Sequence, residues 1–207
     1  MLGQQIRAWE VLDDRVLSVL GDTPREEFVP EAHRDLAFAD LEIPLDHGEA
    51  MMAPKVEGRL LQALNLSDTD QVLEIGTGSG YLTACLARLA GSVVSVDIYE
   101  DFTRGAQSTI APFGLSNIEF RTEDALQIAG SEKFDAIAVT GSVPELDDHF
   151  VRMLRPGGRL FIIVGREPVM EARIVTMLDR GQTTQESLFE SVIKPLVNAE
   201  RPEAFVL

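Results

Sequence analysis

The 207-residue sequence predicts a doubly wound α/β domain, a mostly parallel sheet with helices on both faces, preceded by a helical N-terminal extension. Two observations carry that expectation. From about Asp70 onward, short apolar runs alternate with helical stretches, which is the pattern of βαβ units. The first run ends in Glu74-Ile75-Gly76-Thr77-Gly78-Ser79-Gly80, a glycine-rich turn that leads directly into a helix. The composition agrees: 45% hydrophobic and 25% charged residues suit a folded chain long enough to bury a core.

Residues 1–65 read as helices broken by turns and form the extension, packed on a main domain of residues 66–207. Val11, Leu12, Val16, Leu17, Val19 and Leu20 recur at helical spacing, and Gly21-Asp22-Thr23-Pro24 stops them. Residues 24–30 are a punctuated segment between two prolines, and residues 31–39 suggest a brief helix. A loop with Pro44, Gly48 and Pro54 leads to a helix over about 55–64. Strands are then predicted at 72–75, 93–96, 118–120, 134–139 and 160–164, separated by helices at 81–89, 101–113 and 145–154. Arg155-Pro156-Gly157-Gly158 reads as a turn closing the last of these helices. Two further strands are expected near 173–177 and 187–193, and residues 195–207 as a docked arm.

The charge balance narrows the partners. Against 18 Lys and Arg stand 34 Asp and Glu, a net charge of −16, which disfavours phosphate backbones and anionic membranes. The one cysteine, Cys85, allows no intramolecular disulfide and lies among apolar helix residues, which suits a core position. Neither a basic-then-apolar leader nor a long apolar run is evident, so a cytoplasmic address is expected. His33, His47 and His149 have neither metal-ligand nor triad spacing, so no metal is expected and they read as surface or capping residues. Trp9 and Phe38 read as groups that pack the extension against the domain.

In a doubly wound sheet a ligand sits at the carboxyl ends of the strands, where strand order reverses. Gly76, Gly78 and Gly80 let the backbone turn tightly and approach a ligand, and Thr77 and Ser79 lie between them. The helix that follows offers unpaired N–H groups. Three acids follow three successive strands. Glu74 is placed to face an ammonium, Asp97 to accept from ribose hydroxyls, and Asp124 from an adenine amino group. A dinucleotide fingerprint would need glycine where Tyr81 stands, so S-adenosyl-L-methionine is the expected cofactor.

With these residues in place, the chain resembles the protein-L-isoaspartate O-methyltransferase family over nearly its whole length. The resemblance rests on Gln5-Ile6-Arg7, Pro24-Arg25-Glu26-Glu27-Phe28-Val29-Pro30, Ala37-Phe38-Ala39-Asp40, residues 73–81, residues 134–144 and residues 154–160. It implies a Rossmann-like class I methyltransferase fold with a seven-stranded type of sheet, acting on L-isoaspartyl residues of damaged proteins or peptides. It further implies that Glu74, the 76–80 loop, Asp97 with Ile98, and Asp124 with Ala125 hold the cofactor. Val139, Thr140, Gly141, Ser142 and Val143 would line the acceptor site together with Met51 and Pro54. The α-carboxylate of an isoaspartyl residue is already ionised at neutral pH, so the expected chemistry is alignment without a general base.

One departure bears on the acceptor. The family typically carries a T-I-S-x-P segment, and this chain has Ala50-Met51-Met52-Ala53-Pro54, with Met52 where the serine belongs. A thioether donates no hydrogen bond, and a lost bond to a charged group is worth about 1.5–3 kcal/mol. A second departure is Ile163, which stands where the family often has proline. The methionines either fill a core gap or mark an altered pocket whose hydroxyl comes from Thr140 or Ser142. Three functions follow: isoaspartyl repair, methylation of another small or apolar acceptor, and a non-catalytic S-adenosylmethionine-binding module.

Overall fold

The computed structural model describes residues 7–199 except 147, and the side chain of residue 180 is not described. The expectations that reach residues 1–6 and 200–207, namely the Gln5-Ile6 match and the end of the C-terminal arm, lie outside the described residues. A seven-stranded sheet runs in the order β5-β4-β3-β6-β7-β8-β9. Its strands are β3 (Gln71–Ile75), β4 (Ser92–Asp97), β5 (Ile118–Thr122), β6 (Phe134–Val143), β7 (Leu154–Arg166), β8 (Val169–Met177) and β9 (Thr183–Glu190). The pairs among β5, β4, β3, β6 and β7 are parallel, and β8 is antiparallel to both neighbours. The mostly parallel sheet is therefore as predicted. β3 is the first strand of this sheet in the chain and lies in its interior, with later strands added on both sides, so the order reverses between β3 and β6.

The alternation of β3 residues between two core clusters shows why this sequence makes a two-sided sheet. Val72 faces one core cluster, with the helices α1 (Asp14–Asp22), α2 (Pro54–Leu64) and α3 (Tyr81–Leu89), while Leu73 and Ile75 face the other. Val11, Val16 and Leu20 share the first cluster with Leu60, Leu61 and Leu86, so the N-terminal region is part of that core. Asp13 caps α1 by accepting from the N–H groups of Arg15 and Val16, and Pro54 occupies the first turn of α2, where no N–H is needed. α4 (Glu100–Ile110) runs on into a 3₁₀ turn at Ala111–Phe113, as the predicted 101–113 helix required.

Three expectations are corrected. The helix predicted at 145–154 contracts to α5 (Asp148–Val151), because Leu154 joins the sheet opposite Phe134. The turn at 155–158 lies inside β7 as an irregularity: β7 advances from Leu154 to Arg159 while β6 advances from Phe134 to Ala136, and Gly157 takes φ 79°. Trp9 and Phe38 are exposed at 41% and 44%, so neither is buried against the domain, and Trp9 is covered on one face by the Lys55 ammonium 4.3 Å from its ring centre. Cys85 is fully buried as expected, and desolvation pushes its thiol up to about 12. Among the described residues no helix is long and apolar enough to cross a membrane.

Candidate functional site

The carboxyl ends of β3, β4 and β6 open on a cleft of about 1030 Å³, counting the part that meets solvent. Its first wall is the turn after β3. Gly76, Gly78 and Gly80 have φ of 93°, 50° and 84°, a region that side-chain-bearing residues avoid. A Cβ on Gly76 would fall 2.0 Å from the Thr140 hydroxyl, and one on Gly80 would fall 2.7 Å from Ala106 of α4. Gly76, Thr77, Gly78 and Ser79 line the cleft, whereas Gly80 serves the contact with α4.

Asp97 ends β4 and is held by two backbone donors, Gly78 N–H at 2.9 Å and Tyr99 N–H at 3.0 Å. Burial raises its carboxyl above the usual range, and those N–H groups oppose the rise. Ile98, Asp124 and Ala125, expected to hold the cofactor, also line the cleft. Both Asp124 oxygens are engaged, one by Leu126 N–H and the other by the Asn198 side chain at 2.9 Å.

Glu74 departs from its expected place. On β3 it shares a face with Val72, so it points beneath α3 and not into the cleft. Its Oε2 accepts from Thr83 at 2.5 Å and Ser95 at 2.6 Å, and its Oε1 is buried with no partner among the described residues. Desolvation pushes this carboxyl up to about 8, against the two hydroxyls. Burial thus favours its neutral form over a counter-charge.

The opposite wall comes from the two ends of the chain. β1 (Ile43–Pro44) pairs with β2 (Ala50–Met51), and Met51 and Met52 form an apolar edge of the cleft, both nearly buried. Behind it Arg25 is wholly buried: it pairs with Glu57, donates to Met52 C=O at 2.7 Å and Ala37 C=O at 2.8 Å, and lies 4.7 Å from the Tyr81 ring centre. Glu57 lines the cleft; burial pushes its carboxyl up to about 7, opposed by Arg25.

The predicted acceptor residues divide. Thr140 and Gly141 line the cleft. They occupy an irregular stretch where β6 advances from Ala138 to Ser142 while β7 advances from Phe161 to Ile163. The Thr140 hydroxyl donates to Ile75 C=O at 2.8 Å and Gly76 C=O at 3.1 Å, so it holds the end of β3. Ser142 is a correction: its hydroxyl is buried and donates to Ile193 C=O at 3.1 Å, so it offers nothing to the cleft. Val139 and Val143 lie in the core, and Pro54 is buried at the start of α2, away from the lining.

Several lining residues carry no sequence signal of their own: Tyr99, Phe102, Glu42, Glu49 and residues 193–197. His47, expected as a surface residue, stacks on Tyr99 with ring centres 3.9 Å apart and bonds Asp101 at 2.8 Å. Tyr99 and Phe102 follow Asp97 closely in sequence, but only the fold shows that the 45–49 loop meets them. The donor set fits an adenosyl sulfonium. A glycine turn lets backbone approach, Asp97 stands beside it at the strand end, and aromatic and apolar walls flank both.

Comparison with known proteins agrees with this geometry. The family model described as Protein-L-isoaspartate(D-aspartate) O-methyltransferase matches residues 1–201. Protein-L-isoaspartate O-methyltransferase 2 of Pelobacter propionicus is 35% identical over 203 residues, covering 97% of this chain and 90% of the relative. The Myxococcus xanthus protein-L-isoaspartate O-methyltransferase is 38% identical over 190 residues, 90% of each chain. A crystal structure of the Plasmodium falciparum protein-L-isoaspartate O-methyltransferase, in complex with S-adenosyl-L-homocysteine, superposes with a TM-score of 0.80. At 21% identity, over 94% of this chain and 96% of that one, it shows the shared fold.

Proposed function

The chain belongs to the protein-L-isoaspartate(D-aspartate) O-methyltransferase family, and on that premise we propose that its cleft transfers a methyl group from S-adenosyl-L-methionine to the carboxylate of L-isoaspartyl residues in proteins. The observation that carries the reading is that the glycine turn with Asp97 and the Met51–Met52 edge face one another across a single cleft.

When bound, S-adenosyl-L-methionine supplies an electrophilic methyl group on a sulfonium, and Gly76, Thr77, Gly78, Ser79, Asp97, Ile98, Asp124 and Ala125 would hold it. Asp97 keeps its carboxylate fixed through the Gly78 and Tyr99 N–H groups, ready to accept from ribose hydroxyls. Thr140 pins the end of β3 and so sets where Gly76 stands. Arg25 fixes the Met52 carbonyl and with it the apolar edge. Met51 and Met52 shed water from the acceptor end, which strengthens electrostatic attraction between a carboxylate and a sulfonium. The acceptor arrives ionised, so no residue of the chain has to move a proton; the protein aligns and desolvates.

The test is transfer of labelled methyl groups to an isoaspartyl peptide, with the matched aspartyl peptide as control. Selective, base-labile labelling over many turnovers is expected. No transfer in a sample that binds S-adenosyl-L-methionine would overturn the reading and point to another acceptor.

A further inference from the structure

The charges that wall the cleft are uneven. Glu42, Glu49, Glu57, Asp97, Glu123 and Asp124 line it, and among the described lining residues Lys194 is the one basic side chain. An anionic acceptor is repelled by such a wall unless a cation meets it at the mouth.

Lys194 is fixed where that cation is needed. Its C=O accepts from Ser142 N–H at 2.8 Å, and Leu196 N–H donates to Ser142 C=O at 2.9 Å, so its backbone is tied to the end of β6 beside Thr140 and Gly141. From there the side chain reaches the 46–49 loop. Its Nζ lies 3.5 Å from where a Cβ on Gly48 would stand, on the loop that leads into Met51 and Met52. Desolvation raises the Glu42 carboxyl and the Lys194 charge opposes that rise; Glu42 adjoins Ile43, the partner of Met51. Lys194 is exposed, and its ammonium makes neither a hydrogen bond nor an ion pair among the described residues.

We propose that Lys194 docks the acceptor: its ammonium holds one oxygen of the isoaspartyl carboxylate at the mouth of the cleft and leaves the other free to attack. The inference rests on the methyl-transfer reading above. It has a kinetic signature. Attack of a carboxylate on a sulfonium neutralises both charges, so a cation stabilises the bound acceptor at least as much as the transition state. The contribution of Lys194 therefore falls on KM and leaves kcat unchanged or higher when it is removed.

The experiment is steady-state kinetics on an isoaspartyl peptide at saturating S-adenosyl-L-methionine, for wild type, Lys194→Met, Lys194→Arg and Lys194→Glu, each at low and high salt. Cofactor affinity of every variant is measured alongside. Lys194→Met is expected to raise KM about three- to tenfold at low salt, and Lys194→Glu further, as for an exposed charge contact. The difference closes as salt rises, Lys194→Arg stays within about twofold of wild type, and cofactor affinity does not move. A KM for Lys194→Met within about twofold of wild type overturns the proposal, as does a fall in kcat together with weaker cofactor binding. If wild type binds the cofactor but methylates no isoaspartyl peptide, the underlying reading fails and takes this one with it. A wild type that turns over while Lys194→Met matches it sinks the Lys194 assignment alone.

Discussion

The two walls of the cleft are made in different ways. The wall proposed to face the cofactor is a continuous piece of chain: β3, its glycine turn and α3, flanked by β4 and β6 through parallel ladders. Its side chains are positioned by strand alternation, so each is set by its neighbours in sequence. The wall proposed to face the acceptor joins the 42–54 loop to residues 193–197, parts separated by most of the chain. It contains only the two-residue strands β1 and β2, and a buried arginine and a few backbone bonds hold it in place. A wall built on a ladder tolerates loss of one side chain, whereas a wall hung on a few contacts depends on each of them.

That contrast is tested most severely at Arg25. Its replacement in Arg25→Met strands Glu57 in the core and frees the Met52 and Ala37 carbonyls. Removing one member of a buried ion pair costs about 3–5 kcal/mol. Urea unfolding of Arg25→Met should show a loss of that size, with acceptor KM disturbed more than cofactor affinity. A loss below about 1 kcal/mol would mean that the acceptor wall does not hang on this group.

The cofactor wall is probed by pH through Glu74. Its folded carboxyl is pushed up to about 8, whereas the unfolded group titrates near 4.5, so the folded state holds a proton that the unfolded chain gives up first. The resulting stabilisation is complete below about pH 4.5 and is lost as pH rises through about 8. Glu57, raised to about 7, acts with the same sign and remains in the variant. Unfolding free energies of wild type and Glu74→Gln, compared at pH 5 and pH 8, should diverge by on the order of 2–3 kcal/mol, with wild type losing more. Parallel pH profiles would show that Glu74 stays ionised in the folded chain.

The same contrast explains what could be read from the sequence. The cofactor wall was legible because its signals are local: a strand, three alternating glycines, a helix, and an acid after each strand. Asp97, Ile98, Asp124 and Ala125 do border the cleft. Glu74 misled because counting from the glycine gives a position along β3, while facing depends on which side of the pleat the residue takes. The acceptor wall was not legible in full. Ser142 is a hydroxyl one residue beyond the lining Gly141, and the irregular stretch of β6 turns it into the core to meet residue 193. Nothing near residue 142 announces that residues 193–196 will lie against it. The 145–154 helix failed for a related reason: helical spacing there competes with the interior strand β7, which claims Leu154.

The smallest effect is expected where the two walls meet. Ser142→Ala removes the hydroxyl bond to Ile193 C=O but leaves the two backbone bonds that join residue 142 to Lys194 and Leu196. Loss of one buried neutral hydrogen bond is worth about 1 kcal/mol, and the freed carbonyl adds to the cost only where water cannot reach it. Thermal unfolding should shift by a few degrees, and cofactor affinity should stay put because β3, β4 and their loops are untouched. The acceptor KM should rise slightly, since the segment that carries Lys194 is held less firmly. A measured loss of cofactor affinity in Ser142→Ala would break the comparison itself. It would mean that residues 193–199, which also touch Asp124 through Asn198, brace the cofactor wall as much as they form the acceptor one.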